Sequence, residues 1–105
     1  MAQFTVYQNK NPQTKSVMPF LLDVQADLLR ELQTCVVVPL SHANKNSDQM
    51  ITKLMPILVV EGENYMMITP QMAGIARRDL GKAVANLADS RHEIMAAIDF
   101  LYAGF

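Results

Sequence analysis

Hydrophobic and polar residues alternate over short stretches in the first part of the chain, a pattern that predicts β-strands separated by turns. The first stretch is QFTVY, residues 3–7, which is typical of a strand with one buried side. FLLDVQ, residues 20–25, is rich in apolar residues and predicts a second strand. TCVVVPL, residues 34–40, is dense in β-branched valine and predicts a central strand that Pro39 ends. ADLLREL, residues 26–32, is short for a stable helix and predicts either a helical turn or a loop that crosses the sheet.

The pattern in the middle of the chain predicts a β-hairpin. PILVVEGENYMMIT, residues 56–69, consists of two apolar runs separated by Glu61, Gly62, Glu63 and Asn64, and a connection that contains glycine is typical of a hairpin. The following segment, QMAGIARRDLGKAVANL, has short apolar stretches and predicts one or two further strands. This regular spacing favours a small antiparallel barrel or sheet.

At the end of the chain, the spacing of apolar residues changes from that of a strand to that of a helix. A helix is predicted from about Ser90 to Ala103. Ser90 and Glu93 fit the S-x-x-E capping box. Gly104 occupies the position at which many helices end in a left-handed residue. Three apolar residues recur at helical spacing and could cover a sheet: Ile94, Ile98 and Leu101. The fold class is therefore predicted to be mainly β with a C-terminal α-helix.

The apolar end of the chain is unusual, because chain termini are commonly polar. Met95, Tyr102 and Phe105 lie outside the apolar stripe and give the helix a second apolar flank. Two explanations remain open. Either the whole end packs into its own domain, or it forms a surface for a partner or for a second copy of the chain.

Composition narrows the class of protein. A length of 105 residues predicts one domain spanning residues 1–105, and a hydrophobic content of 50% with 18% charged residues is typical of a globular protein. The formal net charge of -1 disfavours direct binding of nucleic acid by this chain alone. One cysteine, a start without an apolar signal-peptide core and the lack of a long apolar run favour a cytoplasmic protein without a membrane span.

Side chains that could carry catalysis or bind a metal are few and dispersed. His42 and His92 have no further ligands at metal-binding spacing beside them, so no metal site is expected. Cys35 precedes three valines and is expected to be a buried small hydrophobic residue rather than a nucleophile. Arg77 and Arg78 are interpreted as part of a solvated turn, with a phosphate contact as the less favoured alternative. The four glycines form no phosphate-binding loop, and no cofactor is expected.

The order of these segments resembles the CcdB toxins of toxin–antitoxin modules over nearly the whole chain. The resemblance is carried by the QFTVY start, LDVQADLL, the VVVPL strand with a polar loop after it, MPILVVEGENYMMITPQMA, and the AVANL linker before the terminal helix. It implies an SH3-like five-stranded barrel of the CcdB/MazF/Kid type with a small extra sheet. The same resemblance implies assembly as a homodimer.

The function implied by the resemblance is poisoning of a topoisomerase. Members of this family are not enzymes; they bind DNA gyrase through its GyrA polypeptide and trap gyrase on cleaved DNA. The disordered C-terminal part of the CcdA antitoxin neutralises them. Operator DNA is expected to be bound only through the antitoxin complex, as part of transcriptional autoregulation.

The last three residues of the family, a tryptophan, a glycine and an isoleucine, carry the poisoning activity. The corresponding positions here are Ala103, Gly104 and Phe105. Loss of an aromatic anchor at a protein interface often costs several kcal/mol. One hypothesis is that Ala103 inactivates this chain, as a deliberate change that makes a lethal protein expressible. The other is a natural variant in which Tyr102 and Phe105 supply the anchor.

The resemblance also implies which residues meet the partners. The residues expected to bind gyrase are Leu28, Leu29, Arg91, His92, Met95, Asp99, Tyr102, Ala103, Gly104 and Phe105. The antitoxin is expected to contact the loops at residues 9–15 and 41–48, with Asn44 and Asn46 as candidate contacts.

An RNA-cutting toxin is the alternative function, because the MazF/Kid endoribonucleases resemble CcdB in fold. Such an enzyme must hold phosphates and move protons, which requires clustered basic and acid–base side chains. The sequence offers scattered candidates: His42, Lys45, Arg77 and Arg78. A third possibility is a structural barrel protein without a toxic target, which predicts that neither a gyrase fragment nor an antitoxin peptide binds.

Overall fold

Seven strands form one antiparallel sheet in a computed structural model that describes residues 3–43 and 53–104. The strands are β1 (Thr5–Asn9), β2 (Phe20–Asp23), β3 (Thr34–His42), β4 (Ile57–Val60), β5 (Glu63–Met67), β6 (Ala73–Ala76) and β7 (Leu80–Asn86). Their order across the sheet is β4-β5-β3-β2-β1-β7, and β6 pairs with a separate part of β3. The sheet curls into a half-barrel that fits an SH3-like barrel, which confirms the predicted fold class.

The strand β3 organises the sheet, because it pairs with three other strands. Residues 37–40 pair with β2 on one side, whereas residues 34–37 pair with β6 and residues 40–42 with β5 on the other. The prediction that Pro39 ends this strand is wrong. The Pro39 carbonyl accepts a hydrogen bond from the N–H of Ile68 at 2.9 Å, so the proline nitrogen faces the point where the partner changes from β6 to β5. Since no ladder hydrogen bond is required there, proline is tolerated within a central strand.

Both faces of the sheet bury side chains. The main core lies between the curled sheet and the C-terminal helix, and its fully buried members include Val6, Leu22, Val38, Leu40, Leu58, Met67 and Ile94. A smaller cluster contains Tyr7, Leu21, Cys35, Val37 and Leu80. Successive residues of a strand point to opposite faces, which separates Val6 from Tyr7 and Val38 from Val37. Burial on both faces explains why the central strands have nearly continuous apolar sequences.

The hairpin predicted within residues 56–69 is confirmed as β4 and β5, joined by the two-residue turn Glu61–Gly62. Both turn residues have positive φ, 51° at Glu61 and 82° at Gly62, as a type I′ turn requires. Val60 and Glu63 pair directly across this turn. A tight turn of this kind fixes the pairing register of the two strands.

The C-terminal helix spans Arg91–Ala103. Gly104 ends it as predicted, with a φ of 79° and its N–H donating to the Phe100 carbonyl at 2.9 Å. The predicted capping box is wrong, because Ser90 makes no side-chain hydrogen bond to the first turn. Ser90 ends a 3-10 turn, Ala88–Ser90, and its ψ of 14° differs from the extended conformation of most N-cap residues. In the ranges that the structure describes, no helix is long and apolar enough to cross a membrane.

Candidate functional site

The C-terminal helix packs one face against the core and leaves the other exposed. Ile94 marks the buried face. Arg91, Met95, Asp99 and Tyr102 follow one another at spacings of four, four and three residues, which aligns them along one side of the helix. Tyr102 is 77% exposed, whereas Met95 is half-buried because it also packs against the main core. Four of the residues predicted to bind gyrase therefore share one helix face.

A second group of exposed apolar side chains lies on a 3-10 turn, Asp27–Leu29. Leu28 is 94% exposed and Leu29 is 45% exposed. Exposed apolar side chains that lie together mark sites of interaction more often than single ones do. The structure thus places the two predicted leucines at the protein surface, on a turn rather than on a helix.

Two buried polar residues hold the loop that carries these leucines. The side-chain amide of Gln25 donates to the carbonyls of Leu29 at 3.2 Å and Thr34 at 3.3 Å, and its oxygen accepts from the N–H of Val36 at 3.1 Å. The carboxylate of Asp23 accepts from the Gln25 N–H at 2.9 Å. Because buried polar groups need partners, these bonds fix both ends of the loop relative to β2 and β3.

Gln3 connects the 3-10 turn Asp27–Leu29 to the start of the C-terminal helix. Its N–H donates to the carboxylate of Asp27 at 2.6 Å, and its side-chain oxygen accepts from the guanidinium of Arg91 at 3.4 Å. Arg91 also lies over the ring of Phe4, 5.6 Å from the centroid. The residues Leu28, Leu29, Arg91, Met95, Asp99 and Tyr102 are hereafter called the helix–turn surface.

The other residues predicted to meet partners fall into two sets. His92, Ala103 and Gly104 are exposed on the same helix or directly after it. Phe105, Asn44 and Asn46 lie outside the described residues.

A groove of about 490 Å³ lies beside the smaller hydrophobic cluster. Its floor is apolar and includes Leu21, Val37 and Ile75. Its rim includes Asn9, Lys10, Asn11 and Thr14, all within the loop at which antitoxin binding is predicted. An apolar floor with a polar rim is typical of a binding groove.

The structure does not bring His42 together with the arginines considered for RNA cleavage. His42 lies at the end of β3, where its ring is 5.1 Å from that of Tyr65. Arg77 lies beyond the opposite end, where its N–H donates to the carbonyl of Gln33 at 2.8 Å. The nine residues of β3 separate these ends by roughly 26 Å at the usual rise of a strand. Lys45 lies outside the described residues.

Cys35 is fully buried, as predicted from its position before three valines. Burial, followed by a hydrogen bond to Asp23, raises the pKa of the Cys35 thiol to about 12. A thiol that remains protonated near neutral pH is a poor nucleophile. Within residues 3–43 and 53–104, no group of three or more His, Cys, Asp or Glu side chains is placed to hold a metal ion.

The sequence pattern misses the roles of two residues in or beside the loop that carries Leu28 and Leu29. Leu32, 49% exposed, lies on the same loop as Leu28 and has no role in the sequence-based interpretation. Its helical spacing from Leu28 and Leu29, in a segment too short for a stable helix, could have identified it. Gln25 is the last residue of a predicted strand, and its loop-holding role depends on contacts with Leu29 and Thr34 that no local pattern encodes.

Comparison with known proteins agrees with this architecture. The solved structure described as "Endoribonuclease in complex with its cognate antitoxin from Mycobacterial species" superimposes with a TM-score of 0.75. The superposition covers 97% of this chain and 94% of that chain at 12% sequence identity, a likeness of fold. Residues 3–104 match the family described as CcdB protein. Because that match spans nearly the whole sequence, the chain belongs to the CcdB family of toxin–antitoxin toxins.

Proposed function

We propose that this chain is a toxin that binds the GyrA polypeptide of DNA gyrase and traps gyrase on cleaved DNA. The observation that carries the proposal is the helix–turn surface, where Leu28 and Tyr102 are 94% and 77% exposed. Membership of the CcdB family supports the same conclusion. In this role the chain is an inhibitor of an enzyme rather than an enzyme itself.

The composition of the helix–turn surface suits a protein partner. Aromatic and arginine side chains commonly dominate the binding energy of an interface, and leucines add apolar area around them. Tyr102 offers the aromatic ring and Arg91 the cation, whereas Asp99 lies between them along the helix. Ala103 offers little area where the family has tryptophan, so Tyr102 is the exposed aromatic anchor of the described part of this surface.

Titration of the purified chain with the dimerisation fragment of GyrA tests this proposal. We expect saturable binding that Tyr102→Ala weakens about thirtyfold or more, because interface anchors contribute roughly 2 kcal/mol or more. Val17→Ala is the matched control, since Val17 is also an exposed apolar residue, at 65%, but lies outside the helix–turn surface. Binding that both substitutions weaken equally, or no binding at all, would contradict the proposal.

The role of Ala103 is tested by restoring the aromatic residue of the family. We expect Ala103→Trp to bind the gyrase fragment more tightly and to arrest growth at lower expression, because tryptophan adds a large apolar area. If the two chains arrest growth equally, the idea that alanine inactivates the toxin is wrong, and Tyr102 with Phe105 is a sufficient anchor.

An antitoxin of the CcdA type is the proposed second partner. The groove beside Asn9, Lys10 and Asn11 supports docking of an antitoxin segment in the predicted region. The similar mycobacterial structure also contains a cognate antitoxin. Recognition of the operator sequence is assigned to the antitoxin, and the toxin is proposed to act as a homodimer in the cytoplasm.

RNA cleavage has less support than gyrase binding. The mycobacterial protein is called an endoribonuclease, but His42 and Arg77 of this chain are roughly 26 Å apart along β3. General acid–base catalysis requires groups within hydrogen-bond reach of one scissile phosphate. Turnover of an RNA substrate by the purified chain would favour the ribonuclease over the gyrase poison.

A further inference from the structure

Four of the nine Lys and Arg residues lie around one turn, although the chain as a whole has a net charge of -1. Arg77 and Arg78 belong to a 3-10 turn between β6 and β7, Arg77–Asp79. The ammonium group of Lys10 donates to the Arg78 carbonyl at 3.0 Å, across 68 positions of sequence. Arg30 directly follows the 3-10 turn Asp27–Leu29 and lies beside Arg77 and Arg78. The fold therefore gathers cations from three segments that are distant in sequence.

A cavity of about 490 Å³ opens between the arginines. It is lined by Arg30, Glu31, Leu32, Gln33, Thr34, Ala76, Arg77 and Arg78. Arg77 is held in place by two hydrogen bonds at 2.8 Å, from its backbone N–H to the carbonyl of Gln33 and from its side-chain Nε to the carbonyl of Leu32. An arginine fixed through Nε keeps its two terminal nitrogens as donors for a ligand.

The positive charge of this cluster is only partly compensated. The one ion pair within residues 3–43 and 53–104 joins Arg30 to Glu31 at 3.9 Å, and both side chains are largely exposed. Asp79 lines the groove beside the smaller hydrophobic cluster rather than this cavity, and so does Lys10. The three arginines and the one carboxylate that line the cavity, that of Glu31, give it a local charge of about +2.

We propose that this basic cavity binds phosphate groups of the backbone of double-stranded DNA. Guanidinium groups match phosphate oxygens in charge and in bidentate geometry, and all three cations that line the cavity are arginines. Duplex DNA carries one negative charge per about 1.7 Å of its length, so adjacent cations can contact several phosphates at once.

The lining favours a duplex over single-stranded nucleic acid. Single-stranded ligands are commonly held by stacking of bases on aromatic side chains. No aromatic residue is among the eight residues that line the cavity. Backbone contacts of this kind carry no sequence information, so recognition of a specific operator remains with the antitoxin.

The proposed contact with DNA differs from the expectation, drawn from the net charge, that this chain alone does not bind nucleic acid. The net charge of -1 is a sum over the whole chain, in which the basic cluster is offset by acidic residues elsewhere, such as Glu61 and Glu63 on the hairpin. The proposal does not rest on gyrase binding, because the site is tested with the purified chain and DNA alone.

Fluorescence anisotropy with a labelled duplex of about 20 base pairs, in roughly 50 mM salt, tests the site. We expect weak binding that Arg77→Gln with Arg78→Gln reduces about tenfold, with a fall of about two in the slope of log K against log salt. Lys53→Gln with Lys82→Gln is the matched control, because it changes the net charge equally at exposed residues that do not line the cavity. We expect this control to change the affinity by less than about twofold.

Three results would overturn the proposal. One is the lack of measurable binding at low salt, and another is an equal loss of affinity in the two double variants. The third is equally tight binding of polyglutamate or of a single-stranded RNA, which would indicate a general polyanion surface. Thermal melting of every variant identifies any loss of affinity that comes from unfolding.

Discussion

The thiol of Cys35 has an environment that favours its neutral form. Its pKa is raised from 9.0 to about 12, first by burial and then by a hydrogen bond to Asp23 and the charge of Asp23, against a smaller opposite effect of Arg77. The unfolded chain loses this proton near pH 9, whereas the folded chain keeps it until about pH 12. Stability from this group is therefore complete below pH 9 and is lost as the pH rises towards 12.

We expect the free energy of unfolding to fall more steeply in the original chain than in Cys35→Ala as the pH rises. Between pH 8 and pH 10 the thiol accounts for a loss of roughly 1 kcal/mol, because unfolding releases a proton in that range. Urea titrations of both chains at the two pH values measure the difference. Identical pH dependence would show that the thiol ionises equally in the folded and unfolded states.

The contrast between Cys35 and Gln25 shows what single residues reveal in sequence. Burial of Cys35 follows from the three valines after it, and the structure confirms it. Gln25 and Asp23 are also buried, but polar residues at the end of an apolar run commonly mark a strand end. Their burial is stabilised by hydrogen bonds, including those of Gln25 to the carbonyls of Leu29 and Thr34, which no local pattern encodes.

At the scale of elements, the contact between β1 and β7 is unusually close at Gly81. A Cβ atom added there would lie 2.6 Å from the carbonyl oxygen of Gln8 and 2.9 Å from its Cβ. The β1–β7 pairing is also interrupted by register shifts on both sides of Tyr7. Since the obstructing atoms include backbone, the strands must separate to accept a larger residue.

We expect Gly81→Ala to lower the free energy of unfolding by about 1–3 kcal/mol, the usual cost of overpacking. Gly74→Ala is the matched control, because Gly74 is also in a strand but has open space around its Cβ position. That control should change stability by less than about 1 kcal/mol. Equal effects of the two substitutions, measured by urea unfolding, would contradict the close contact.

The ends of an element can be predicted when they depend on local residues. They are harder to predict when they depend on neighbouring strands or turns. The hairpin and the helix end follow from Gly62 and Gly104, whose positive φ values the structure confirms. In the sequence, Pro39 resembles a strand end. Its tolerance within β3 depends on the whole sheet, because Pro39 lies where the partner of β3 changes from β6 to β5. The capping box fails at Ser90 because a preceding 3-10 turn changes the backbone of that residue.

At the scale of the whole molecule, the helix–turn surface combines residues that are more than sixty positions apart. Family resemblance predicts one surface for Leu28 and Tyr102, and the link from Asp27 through Gln3 to Arg91 supplies a physical reason. The sequence shows Arg77 and Arg78 as a basic pair, but the approach of Lys10 and Arg30 to that pair could not be predicted, because net charge contains no information about position. Both surfaces arise from how the sheet brings distant segments together.

The exposed apolar residues also lie on more than one side of the molecule, which favours two separate protein contacts. Val59 is 57% exposed and alternates with Leu58 and Val60, which face the core that the C-terminal helix covers. Val59 therefore points away from the core, whereas Tyr102 belongs to the helix–turn surface. A contact between two copies of the chain can thus coexist with a contact to gyrase.

We expect the purified chain to be a homodimer at micromolar concentration, with twice the 11.7 kDa mass of one chain. Small oligomeric toxins of this size gain stability from the apolar area that a second copy buries. Light scattering coupled to size-exclusion chromatography measures the mass directly. Tyr102→Ala should remain dimeric while losing affinity for the gyrase fragment, because its ring is assigned to the gyrase contact. A single-chain mass for the original protein would contradict the dimer, and a single-chain mass for Tyr102→Ala alone would reassign its ring to the contact between copies.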